Sequence, residues 1–235
     1  MKTLARQLRL LGDLLTDPRR AFTALGTAPP LASILVVLGA LQAALWVAQS
    51  FLLESVAGPD EAAGAGMTAG APPGGVLWLA RSLLLLLSPI ALALRGTGLA
   101  VLLQAGAALG GWILPWRPLL SLVLHLDLVL WLESAAVTLL LAIARPASLE
   151  ALRALRLHAG LDLVWQPASP AVGALLSAGN LFSIWWGLLL ALGLAAVLGL
   201  PRRPACGLAA GAWAGLVVVR FVVDRCAAPA LLPWE

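Results

Sequence analysis

The sequence has no tyrosine, a single lysine (Lys2), two histidines and two cysteines, and only 11% of its 235 residues are charged. Soluble domains carry about 25% charged residues, so there is too little charge here to coat a water-facing surface. Disordered chains need still more charge and less apolar content, and are excluded as well. Cys206 and Cys226 bracket one apolar stretch, which as a helix separates them by about 30 Å. A disulfide needs Cα atoms within about 7 Å, so the two do not pair within one chain and no disulfide scaffold exists. Neither has a histidine or another cysteine beside it, so no metal site is expected.

Acids are scarce too. There are 11 against 15 basic residues, giving a net charge of +4. That balance reflects missing acids, not a nucleic-acid footprint, and no nucleic-acid partner is expected. Catalytic signatures are missing: there is no GxSxG, HExxH, phosphate loop or dinucleotide fingerprint. His125 and His158 fall in different segments. No catalytic residue and no cofactor is assigned, and the chain reads as non-enzymatic. The single lysine, with heavy use of Ala, Leu, Gly and Arg, points to a GC-rich coding sequence and a bacterial source.

What is present is apolar. Hydrophobic residues make up 61% of the chain, and the mean hydropathy is +0.97. The hydropathy pattern predicts an all-α integral membrane protein, a five-helix bundle with spans at about 31–53, 83–109, 119–143, 181–200 and 207–223. Residues 1–28 form a separate interfacial segment and 29–235 the spanning domain. Within the first segment Leu4, Leu8, Leu11 and Leu15 recur at helical spacing beside Lys2, Arg6 and Arg9. That predicts an amphipathic helix lying flat on the inner leaflet. Asp17-Pro18 then starts a second short helix, with Asp as its cap. Stretch 76–114 is too long for one span, which predicts an interfacial start and a span kinked at Pro89. Residues 54–75 read as a loop and 146–160 as an amphipathic segment.

Basic residues set the orientation. An N-terminus inside places Lys2, Arg6, Arg9, Arg19, Arg20, Arg117, Arg202 and Arg203 on the inner side. Arg81, Arg145, Arg153, Arg156 and Arg225 then lie outside. The expected location is a bacterial cytoplasmic membrane. Trp78, Trp165, Trp185 and Trp186 are expected at the outer boundary, and Trp112 and Trp116 at the inner one.

Polar residues inside the spans are the candidate site: Gln42, Arg95, Gln104, His125, Asp127, Glu133 and Arg220. Depth counting at 1.5 Å per residue puts Arg95 level with Asp127, and Glu133 level with Arg220. Two neutralising pairs fit better than a polar path, because the charges are few and balanced. A transporter or channel component using these charges is the alternative reading. Gly207, Gly211 and Gly215 form a GxxxGxxxG stripe on the last span, and Gly106 with Gly110 a shorter one, suited to close packing within the bundle or between copies in an oligomer.

Two clusters carry a resemblance. Asp17-Pro18-Arg19-Arg20-Ala21-Phe22 precedes the first span, and Asn180-Leu181-Phe182-Ser183-Ile184-Trp185 opens the fourth, followed by Gly193. With Leu109-Gly110-Gly111 before Pro118, these resemble the Yip family of multispanning membrane proteins. The resemblance implies five spans, a cytoplasmic N-terminus and a non-enzymatic role in organising membrane or recruiting a protein partner through the N-terminal helix.

Overall fold

The computed structural model describes residues 2–25, 31–56, 74–144 and 179–230. Among the described residues there are seven helices and no strand: α1 (Lys2–Thr16), α2 (Pro18–Leu25), α3 (Leu31–Val56), α4 (Gly74–Leu109), α5 (Trp116–Ala144), α6 (Leu181–Leu198) and α7 (Arg202–Ala230). The last five are each long and apolar enough to cross a membrane. Leu86, Leu94, Leu102, Ile143, Leu188 and Val218 point outward from them. An apolar exterior of this kind is stable only with lipid as its solvent. The chain is an all-α membrane protein.

Helix α5 is the axis. Every residue from Ser121 to Leu130 is buried, nearly three turns of helix with no free face. Helices α3, α4 and α6 pack around it, and α2 covers a further part of its surface. Small residues allow the close approaches. A Cβ built on Gly96 would lie 2.6 Å from Leu124 Cδ2, and Gly193 is pressed just as closely against Leu122. Both leucines belong to α5, so the α4 and α6 backbones lie directly on it.

Helix ends follow local chemistry. Asp17 Oδ1 accepts from the Arg20 backbone N–H at 3.2 Å, capping α2 with Pro18 in its first position. After α4, Gly111 takes φ 78°. There Trp112 N donates to Ala107 O at 2.9 Å and Gly111 N to Ala108 O at 2.9 Å, the paired bonds of a Schellman close. Gly199, at φ 68°, ends α6 in the same left-handed conformation.

Several expectations need correction. Helix α4 is continuous from Gly74 to Leu109, through Pro89, so the stretch before the span and the span itself, whose apolar window is Leu86–Leu109, are one helix. The freed turn is packed from outside: Ser88 Oγ donates to Gly39 O at 2.9 Å, and a Cβ on Gly39 would meet Pro89 Cγ at 2.9 Å. Helix α7 starts at Arg202, five residues earlier than expected, because Pro204 lies in its first turn, where no N–H is needed. Trp186 belongs to the core, not to an interfacial belt. Gly207, Gly211 and Gly215 meet nothing within 4 Å among the described residues, so they do not pack the bundle; Gly106, against Leu208 of α7, does. Among the described residues the stripe that α1 buries is Gln7, Leu10, Leu11 and Leu14: of the expected leucines Leu11 belongs to it and Leu15 is half-buried beside it, Leu8 is 54% exposed, and the Leu4 side chain lies outside the description. Trp165, segment 146–160 and most of the 54–75 loop lie outside the described residues.

Candidate functional site

The polar residues of the spans gather into three groups around α5. In the first, Arg95 Nη2 of α4 lies 2.9 Å from Asp127 Oδ1 of α5. The pair is lopsided: the Asp127 side chain is 4% exposed and that of Arg95 51%. Asp127 Oδ2 is buried and accepts no hydrogen bond among the described residues.

The second group is more fully satisfied. Arg220 of α7 forks onto Glu133 of α5, with Nη1 donating to Oε1 at 2.8 Å and Nη2 to Oε2 at 2.6 Å. Such a bidentate pair fixes both position and angle. Asn180, before α6, donates from Nδ2 to the same Glu133 Oε1. Its own side-chain oxygen accepts from Ser183 N at 2.9 Å, capping α6. Ser183 Oγ then accepts from Trp213 Nε1 of α7 at 3.2 Å and donates to Asn180 O at 2.8 Å. One network thus ties α5, α6 and α7 together at the end where α6 begins.

The third group joins α1 to the bundle. Gln7 Nε2 donates to Ser33 Oγ at 2.9 Å, and Gln7 Oε1 lies 3.1 Å from His125 Nε2. His125 Nδ1 lies 2.7 Å from Ser121 O. An amide turned by half a revolution serves a neutral ring with its proton on Nδ1, since its NH2 then donates to Nε2 and its oxygen accepts from the Ser33 hydroxyl. His125 sits eight residues beyond Arg117 along α5, about 12 Å of rise. Helix α1 is therefore keyed against the flank of α5 by a polar contact, not only by leucines.

Depth counting paired Arg95 with Asp127 and Glu133 with Arg220, and the structure brings both couples together. It places Asn180 and Ser183 on the Glu133 network, a link the sequence reading did not make. Its available signal was an Asn at the cap position of a span, in the same half of the bundle as Glu133. Gln7 was missed altogether, although it is the one uncharged polar residue in the buried stripe of α1. Phe182 and Trp185 pack against the main core, which also contains Phe22. Ile184 is half-buried, and Gly110 lies in the α4–α5 turn. Gln49 Nε2 donates to Thr138 Oγ1 at 2.8 Å, adding a further bond between α3 and α5. Among the described residues no group of three His, Cys, Asp or Glu side chains is placed to hold a metal.

Comparison with known protein families, with curated proteins and with solved structures gave no match.

Proposed function

We propose that this is a non-enzymatic membrane protein of Yip-like type, which recruits a partner at its inner face through a basic helix pair built into the bundle. The observation that carries the reading is the mounting of α1 and α2. Gln7, Leu10, Leu11, Leu14, Ala21, Phe22 and Leu25 are buried against the spans, while Arg6, Arg9, Arg19 and Arg20 stay exposed. The helix pair thus has its apolar side on the bundle and an exposed side rich in arginine, where Arg20 also lies 3.9 Å from Asp13, and this supports contact with an acidic partner or the leaflet. In this reading the membrane is the bacterial cytoplasmic membrane with the N-terminus inside. Arg117, Arg202 and Arg203, exposed at the same ends of the spans, support that orientation. Each of the two carboxylates within the spans has an opposite charge beside it, which favours a scaffold over a conducting path.

The test is photocrosslinking in native membranes. A crosslinker at Arg9 should give a discrete adduct, one at the buried Leu10 should not, and Arg6, Arg9, Arg19 and Arg20 changed together to Gln should abolish it. An adduct that survives the fourfold change, or none at any exposed position of α1 and α2, would overturn the reading.

A further inference from the structure

Two helix openings share one sequence pattern. Pro115-Trp116-Arg117-Pro118 leads into α5, and Pro201-Arg202-Arg203-Pro204 into α7. In each, a proline sits in the first turn, where no N–H is needed, and an arginine stands just before it. The fold brings both openings to one end of the bundle. Helices α4 and α7 touch where a Cβ on Gly106 would lie 2.9 Å from Leu208 Cδ2. From that contact α4 ends at Leu109, about 5 Å on, and α7 begins at Arg202, about 9 Å back. As the second and fifth spans the two run in opposite directions, so the α4–α5 turn stands beside the start of α7. The same turn feeds directly into Trp116 and Arg117.

Three guanidiniums stand at this corner without counter-charge. Arg117, Arg202 and Arg203 are exposed, and their side chains make no ion pair or hydrogen bond among the described residues. By contrast Arg20, Arg95 and Arg220 each have a carboxylate oxygen within reach, at 3.9, 2.9 and 2.6 Å. The apolar windows of α4, α5 and α7 stop at Leu109, Trp116 and Arg202, which puts the corner at the edge of the hydrocarbon. Leu109 and Ile113 are 92% and 91% exposed, and Trp112 and Trp116 are exposed beside them. Aliphatic, aromatic and cationic side chains thus share one surface at the level where hydrocarbon gives way to head groups.

We propose that this corner binds one anionic phospholipid of the leaflet. Its phosphate lies among Arg117, Arg202 and Arg203, whose planar forks match phosphate oxygens, and its acyl chains lie against Leu109 and Ile113. Trp112 and Trp116 occupy the level of the glycerol backbone. A soluble phosphate compound would leave the exposed aliphatic side chains uncovered. A zwitterionic lipid brings its own ammonium, which offsets the attraction to the arginines. A lipid of net negative charge satisfies both the cationic and the apolar part of the surface. Neither α1 nor α2 supplies a residue, so the site is separate from the partner surface proposed above.

The experiment uses the full chain in nonionic detergent, stripped of lipid, with dioleoylphosphatidylglycerol as the probe and native mass spectrometry as the readout. One retained lipid per chain is expected, bound about tenfold or more tighter than dioleoylphosphatidylcholine. Arg117, Arg202 and Arg203 changed together to Gln should weaken binding about tenfold or more, with thermal unfolding unchanged. Ile113→Glu, at an exposed position, sets an acid beside the phosphate and should weaken binding as well. Arg6, Arg9, Arg19 and Arg20 changed together to Gln should leave the lipid in place. Equal retention of phosphatidylcholine, or unchanged binding in either corner variant, would overturn the proposal. So would loss of the lipid in the fourfold variant, which would move it to α1 and α2. Displacement by an equal concentration of glycerol phosphate would make this a site for a soluble phosphate compound. A crosslinker at Arg202 that captures a protein in native membranes instead of a lipid would give the corner to that protein.

Discussion

At the scale of single residues, the asymmetry of the Arg95–Asp127 pair matters more than its existence. Removing one member of a buried pair strands the other, and the cost is set by where the survivor sits. Asp127 is enclosed, so Arg95→Leu leaves a carboxylate with no route to water. The expected loss is about 3–5 kcal/mol in detergent unfolding. Asp127→Asn leaves Arg95, which is half exposed and has a long flexible stem to carry its charge outward. That loss should be clearly smaller. Changing both to Leu should recover most of the larger loss, giving a strong coupling term in a double-mutant cycle. Two equal and additive losses would contradict the pairing.

At the scale of elements, glycine position sorts the helix faces. Gly39 meets the rigid ring of Pro89, and Gly193 lies on Leu122, which is itself fully buried. Gly39→Ala and Gly193→Ala should each cost about 1–3 kcal/mol by overpacking. Gly207→Ala, with free space around it, should be neutral or stabilise by up to about 1 kcal/mol through helix propensity. Thermal unfolding of the three variants checks the ordering, and a loss at Gly207 equal to that at Gly193 would place an unseen neighbour there. Helix α1 gives a second contrast. Leu11 is buried against α3 and α5, whereas Leu8 is mostly exposed. Leu11→Glu should release α1, measured as faster protease cleavage within residues 2–16. Leu8→Glu should leave that protection nearly intact. Periodicity alone could not separate the two, because Leu4, Leu8 and Leu15 flank the buried stripe on the same side of the wheel. Only the partner, a bundle with His125 on its flank, decides which sector turns inward.

At the scale of the whole molecule, what could be read from sequence was whatever depends on distance along a helix. Spans and the levels of Arg95, Asp127, Glu133 and Arg220 follow from a fixed rise per residue and from hydrocarbon thickness. What depends on rotation about an axis could not be read: the buried stripe of α1, the outward turn of the α7 glycines, the burial of Trp186. An apolar helix in lipid carries little contrast between its inward and outward faces, so its sequence does not state its rotation. Parity of spans is a distance-type property and leads to the last prediction. Five crossings put the two ends of the chain on opposite sides, and Cys206 and Cys226 mark the two ends of α7. They lie on one helix, about 30 Å apart along its axis. Cys206 is exposed in the second turn, close to Arg202 and Arg203. In sealed right-side-out vesicles with Cys226→Ser, a membrane-impermeant maleimide should leave Cys206 unlabelled until the vesicles are permeabilised. With Cys206→Ser, Cys226 should label at once. Labelling of both cysteines from one side would require that α7 does not span, and labelling of Cys206 in place of Cys226 would require an odd number of crossings before α7 or an N-terminus outside; either result would bring down the five-helix topology proposed here.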